Sequence, residues 1–328
     1  MNEIDEFIAT FEREKDVYSS WGKLVLQNIQ NKLKENEMES ILKIEPSYRM
    51  KDISSLIEKA FYRSKNYKNP YKDITDKVGV RFVVLLTDDI PIIKKIIEDC
   101  SLWEYSDDRD FIKEKEDKPY LFDYQSVHYV VKNLEPISIG ENILIPTGTP
   151  CEIQVRTLLQ HAYAEVSHDS VYKCKAKPSS DIKRRMARTI ALMESTDELF
   201  LLAKDELRKS NIKIEKWANH SISMYYHINM SYNKKAKDKI LYHILNIYFE
   251  TLTDQLFKKY LTYLDDNDGY KEYFAEKINS DCITGSYIKQ SAAIVFCLFM
   301  VDKKTQIFKN KWPFSENDLN EIMLIMGN

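Results

Sequence analysis

Two hydrophobic rhythms run along this chain. Ile4, Phe7, Ile8 and Phe11 recur at helical spacing, and Trp21, Leu24, Val25 and Ile29 repeat the pattern, so residues 1–45 read as helix. Pro46 and Ser47 stand where a second helix can begin, with Ile53, Leu56, Ile57 and Ala60 as its buried stripe. The rhythm then changes to strands: "VGVRFVVLL" (78–86), "SVHYVVKNL" (126–134), "PCEIQVRT" (150–157) and a weaker "NILIPT" (142–147). Between the first two, "DIPIIKKIIEDC" reads as helix and "EYSDDRDFIKEKEDKPY" as a charged loop. Helical patterns cover 158–173 and 182–210, and from about residue 212 onward every periodic segment is helical, broken by a turn at "LDDNDGYKE" (264–272). The chain therefore divides into a strand-bearing part and an all-helical remainder.

Composition narrows this picture. The 328 residues suit about two domains, and 7 Gly and 9 Pro argue for long helices. A net charge of −3 gives no global pull toward nucleic acid, so any basic surface is local. Cys100, Cys151, Cys174, Cys282 and Cys297 form no CxxC pair and read as reduced thiols of a cytoplasmic protein. The acidic start is no signal peptide, and the longest apolar run, "AAIVFCLFMV", falls short of the ~20 residues a membrane span needs.

Four polar groupings could carry chemistry. Asp76 opens one strand, and alternation in "CEIQVRT" puts Glu152, Gln154 and Arg156 on one strand face, either a solvent face or a ligand-binding floor. Two carboxylates on neighbouring strands suit Mg²⁺ or proton transfer. Residues 43–72 hold eight Lys/Arg against three acids, and Ser55, Lys59 and Arg63 share a helix face, which is either a solvated surface or a wall for polyphosphate, beside Arg49 and Lys51. Tyr124, Ser126 and His128 alternate onto one face, where they can hydrogen-bond at a sheet edge or hold a nucleotide. His161, Glu165, His168 and Tyr172 form one helix stripe without the spacing of a zinc site, and read as a polar buttress against the sheet. A basic run (Lys173, Lys175, Lys177, Lys183, Arg184, Arg185, Arg188) is a solvated face or an RNA contact.

In order, "RMKDISSLIEK", "DKVGVR", "DYQSVHYVV" and "EIQVRTLLQHAYAEVSHDSVYK" resemble the synthetase domain of the RelA/SpoT family, over about residues 20–200. The resemblance implies a mixed sheet of four or five strands flanked by helices, nucleotidyltransferase-like, in residues 1–205; with the all-α domain of unknown role that periodicity alone places in 206–328, the fold expected is α+β. The resemblance also implies transfer of pyrophosphate from ATP to the ribose 3′-hydroxyl of GDP or GTP, making (p)ppGpp and AMP with Mg²⁺. Asp76 matches the metal-binding aspartate, and Glu152 the glutamate that holds metal or activates the acceptor. Arg49 and Arg81 match arginines that sandwich the donor adenine, and Lys51, Ser55, Lys59 and Arg63 match donor-phosphate contacts. Tyr124 matches the tyrosine stacked on the acceptor base, His128 a phosphate-binding histidine, and Ser126, Gln154, Arg156 and His161 fall in the acceptor region.

Departures bear on the acceptor. "GYRSLH" in the family is "DYQSVH" here, losing a positive charge, and His161 stands where Asn or Asp often reads guanine. The tRNA 3′ CCA end is thus an alternative acceptor, and a non-catalytic nucleotide- or RNA-binding regulator is a third reading. No hydrolase domain is expected, no membrane contact is expected, and homo-oligomerisation through helical regions is open.

Overall fold

The computed structural model describes residues 3–63, 67–122, 126–140, 142–168, 178–229, 238–265, 275–276 and 288–327. The chain divides into two compact units, Met1–Ala203 and Lys204–Asn328.

The first unit is built on helix α1 (Glu3–Glu35), which buries Phe7, Phe11, Trp21, Val25, Ile29 and Leu33 along one side. Its rhythm predicts helix to residue 45, but the chain turns through Glu37 at φ 57 and enters strand β1 (Leu42–Met50). Pro46 and Ser47 therefore lie in a strand, not at a helix start. The register of β1 shifts between Ile44 and Ser47, a bulge that spans Pro46 and its missing N–H. Helix α2 (Ile53–Ile57) starts instead at Asp52, whose carboxylate accepts the Ser55 amide, and runs on as a π-helical turn over Glu58–Tyr62. After a short helix α3 (Pro70–Asp73), strand β2 (Val78–Val84) and helix α4 (Ile90–Glu98) follow the sequence pattern. The charged segment after α4 is not all loop: it supplies strand β3 (Trp103–Asp110) and helix α5 (Phe111–Asp117).

Strand β4 (Val127–Asn133), a small ribbon of β5 (Ile137–Ile139) and β6 (Ile143–Ile145), and β7 (Pro150–Thr157) come next. Helix α6 (Leu158–Ser167) leaves β7 directly, under a capping box of Thr157 and Gln160. The main sheet has five strands in the order β1-β2-β7-β4-β3. Only β2 and β7 pair in parallel, so the sheet is mixed. One of its faces carries Val78, Val80, Phe82, Val127, Tyr129, Val131, Ile153 and Val155, all buried in one core with α1 and α4. The other face is polar. There the register sets Arg49 beside Gly79 and Gly79 beside Glu152, and in the next row Ser47, Arg81, Gln154 and His128.

Helix α7 (Ser180–Ile228) runs from the first unit into the second. The rest of the second unit is helical in its described residues: α8 (Lys239–Ile247), α9 (Asp254–Asp265), α10 (Ala293–Asn310) and α11 (Glu316–Ile325), with one 3-10 turn at Phe249–Thr251. Its core centres on Trp217, stacked on Tyr260 at 4.9 Å and edge-on to Phe257 and Phe296. Most of the turn expected over 264–272 lies outside the described residues. Cys100, Cys151 and Cys297 are free thiols. No helix among the described residues is long and apolar enough to cross a membrane.

Candidate active site

Asp76 sits at the mouth of β2 with its side chain 12% exposed. Its Oδ2 accepts from two ammonium groups, Lys51 just beyond β1 and Lys59 in the π-helical turn, the latter at 2.7 Å. Burial pushes the carboxyl up, but the two lysines outweigh it and hold Asp76 below the ordinary carboxylate range. Its Oδ1 is buried with no hydrogen-bond partner. The turn that presents Asp76 is held from behind. The Lys51 amide donates to the Lys77 carbonyl at 2.9 Å, and the buried Lys77 ammonium donates to the Ile74 carbonyl at 2.7 Å. That ammonium lies 4.6 Å from the Tyr71 ring centre and 5.2 Å from that of Tyr18, and burial lowers it to about 8.

Glu152 is clamped at both oxygens. His128 Nδ1 lies 3.0 Å from Oε1, and Gln154 Nε2 donates to Oε2 at 2.7 Å. An ionised carboxylate can only accept, so the His128 proton sits on Nδ1. Arg156 in turn donates to Gln154 Oε1, extending the chain of contacts along β7. Burial raises Glu152 and the charge of Asp76 raises it further, but His128 and Gln154 together outweigh them and leave the group below its ordinary value. The Asp76 effect shows that the two carboxylates lie within electrostatic reach. Gly79 opposes Glu152 in the register, and a methyl added there would meet Glu152 Oε2 at 3.8 Å. Glycine thus leaves open space over the carboxylate.

Arg81 donates from its NH1 nitrogen to Glu165 Oε1 on α6 at 2.8 Å, and His161 Nδ1 lies 3.7 Å from the same oxygen. Burial and then the Arg81 charge press His161 below its ordinary value, so its ring is neutral. Ser55 is half-buried in α2, and Arg49 is exposed on β1 in the row of Gly79 and Glu152. Ser126 is fully buried at the start of β4. Arg63 does not join the group: its guanidinium turns to Glu58 at 3.0 Å and is 54% exposed. Tyr124 and Tyr172 lie outside the described residues, as do Lys173, Lys175 and Lys177.

The structure thus gathers Lys51 and Lys59 on Asp76, and His128 and Gln154 on Glu152, with the two carboxylates within electrostatic reach and Arg81 one row from Glu152. Sequence reasoning missed two supports. Lys77 follows Asp76 but belongs to no periodic pattern that marks it as buried. Asp197 on α7 accepts from Thr157 Oγ1 at 2.8 Å and so ties down the start of α6, a link across forty residues that leaves no local signal.

Residues 48–177 match the family model described as "Region found in RelA / SpoT proteins". This chain carries a RelA/SpoT domain. A curated relative, the GTP pyrophosphokinase YjbM of Bacillus subtilis (strain 168), is 27% identical over 163 residues, covering 49% of this chain and 72% of the relative. The crystal structure of small alarmone synthetase 1 from Bacillus subtilis matches at a TM-score of 0.51 and 24% identity, over 61% of this chain and 98% of that one. Small alarmone synthetase 2 from the same organism matches at 0.51 and 19% identity, over 60% of this chain and 98% of that one. Those structures share the fold of the RelA/SpoT domain. Each is covered almost whole while well over a third of this chain is left over. The Asp76, Arg81, Glu152 and His128 positions all fall inside the matched RelA/SpoT region.

Proposed function

We propose that this chain is an ATP-dependent pyrophosphotransferase that moves the β,γ-diphosphate of ATP to the ribose 3′-hydroxyl of GDP or GTP, forming (p)ppGpp and AMP. The observation that carries this reading is that Asp76, held by Lys51 and Lys59 at the mouth of β2, lies within electrostatic reach of Glu152, held by His128 on the polar sheet face. A relative named as a GTP pyrophosphokinase, matched over most of its length, supports the same reaction.

The donor set fits a magnesium ion. Asp76 offers a buried, unpartnered oxygen, and Glu152 is a second hard oxygen ligand nearby. Among the described residues no three His, Cys, Asp or Glu side chains gather into a fuller metal cage. Magnesium tolerates this, because it keeps waters and takes phosphate oxygens alongside one or two carboxylates. When bound it neutralises charge on the transferred diphosphate.

The rest of the work falls to the chain itself. Pyrophosphoryl transfer needs in-line placement and charge neutralisation more than covalent help. Lys51 and Lys59 supply positive charge at the Asp76 end and are close enough to share their protons between that carboxylate and a phosphate. Arg81 presents a flat guanidinium suited to stacking on a base. Glu152 is ionised at neutral pH and can accept the proton of the attacking hydroxyl. His128, donating to Oε1, fixes the direction of that carboxylate and stabilises its charge.

The test is incubation with γ-labelled ATP and Mg²⁺ in the presence of GDP, GTP or uncharged tRNA, with products separated by chromatography. Label on the guanosine nucleotides is the expected result. Label on RNA alone would move the reading to the tRNA acceptor, and label transferred to neither would overturn it.

A further inference from the structure

Arg81 lies in the middle of β2, flanked in register by Ser47 and Gln154 on the polar face. A guanidinium has two separable uses: its edge donates hydrogen bonds, and its face stacks on flat groups. Here one edge is taken. Glu165 reaches back from α6 and accepts from NH1 at 2.8 Å, while the Arg81 side chain stays 30% exposed. A single anchor of this kind narrows the directions the fork can take while its other nitrogens stay outside this contact.

The anchor itself stands on firm ground. Helix α6 starts directly from β7, and its first turn is locked by Thr157 and Gln160 capping each other, with Thr157 held in addition by Asp197. His161, one turn before Glu165, lies 3.7 Å from the same carboxylate oxygen and narrows the directions it can take. Without Glu165, Arg81 would have another anion on the same face. It stands two residues from Gly79, which faces Glu152.

We infer that Glu165 is a positioning residue, holding Arg81 in the plane in which it stacks on the base of the donor nucleotide and keeping it from the reacting carboxylate. This rests on the proposed function, in which Arg81 meets the adenine of ATP. Pre-orientation of one long side chain lowers the entropy lost on binding, an effect worth about two- to tenfold in affinity. An exposed ion pair contributes little to folding, so the same change leaves stability almost untouched.

The test is a double-mutant cycle of Glu165→Ala and Arg81→Ala, with Glu165→Gln as the conservative variant. Binding of AMPCPP, a non-hydrolysable ATP analogue, is measured by calorimetry, KM and kcat are measured for donor and acceptor, and the thermal midpoint is recorded. Glu165→Ala is expected to weaken analogue binding and raise the ATP KM about two- to tenfold. The acceptor KM and the thermal midpoint should stay as in wild type. Glu165→Gln, which keeps an acceptor oxygen, should fall between. In the Arg81→Ala background the Glu165 change should have no further effect. An unchanged ATP KM in Glu165→Ala, an equal effect with and without Arg81, or an equal loss for both substrates would overturn the inference. Wild-type transfer with an inert Glu165→Ala rejects the inference alone. Analogue binding without wild-type transfer rejects the proposed reaction and leaves the binding cycle to decide Glu165. Absence of both rejects the two together.

Discussion

Gly79→Ala separates packing from function at the centre of the site. Gly79 has no positive φ, so alanine can adopt its backbone. The added methyl would meet the Glu152 carbonyl oxygen at 3.6 Å, Oε2 at 3.8 Å and Cβ at 3.9 Å, all ordinary contacts. Nothing has to move, and loss of glycine's freedom in the unfolded chain should stabilise the fold by about 0.4–1 kcal/mol. The same methyl stands where a ligand atom would approach Oε2. A phosphate oxygen or a metal-bound water bridging to that carboxylate oxygen would collide with it. Transfer should fall about 10- to 100-fold, the size expected when the surroundings of a metal-binding carboxylate are disturbed. Urea unfolding gives the first quantity, and labelled diphosphate transfer from ATP to GDP gives the second. Wild-type turnover in a folded Gly79→Ala protein would show that the space over Glu152 is not used. A large loss of stability would show that glycine is there for packing.

Gly22 offers the contrast. A methyl at Gly22 would sit 2.5 Å from Val78 Cγ2 and 3.3 Å from Tyr48 Cδ2, so Gly22→Ala should cost about 1–3 kcal/mol and lower the urea midpoint without changing the slope. Asp197→Asn should raise the thermal midpoint at neutral pH. Burial lifts the Asp197 carboxyl above 3.8, only partly countered by Thr157, so the native state holds a proton that the unfolded chain has released. Wild-type stability therefore falls as pH rises through that window, and the advantage of Asn should be full above it and vanish below pH 3.8. A gain that does not depend on pH would contradict the assignment.

The sheet was legible where it is buried. Strands β2, β4 and β7 lie inside the sheet, and their Val, Ile and Phe positions write the strand rhythm into the sequence. Strands β1 and β3 are its edges, and "LKIEPSYRM" and "WEYSDDRD" are mostly exposed. Edge strands carry charge and bulges that discourage pairing with other chains, and those features hide them from a hydrophobic pattern. The site divides in the same way. Glu152, Gln154 and Arg156 were readable as one face because alternation within a strand is local. That Lys51 and Lys59 both reach Asp76 depends on how β1 and the π-helical turn fold against β2, and no spacing rule encodes it. The i,i+4 spacing placed Arg63 with Lys59, but the helix is α only to Ile57, and in the wider π turn that follows Arg63 swings to Glu58.

The central claim is that Asp76 and Glu152 act together on one magnesium-bound diphosphate. The most direct measurement is single-turnover transfer from labelled ATP to GDP by Asp76→Asn and Glu152→Gln, each nearly isosteric, with folding checked by circular dichroism. Each variant should stay folded and transfer at least about a thousandfold more slowly, the several kcal/mol that a metal-binding or proton-accepting carboxylate supplies. Transfer near the wild-type rate by either folded variant would contradict the claim.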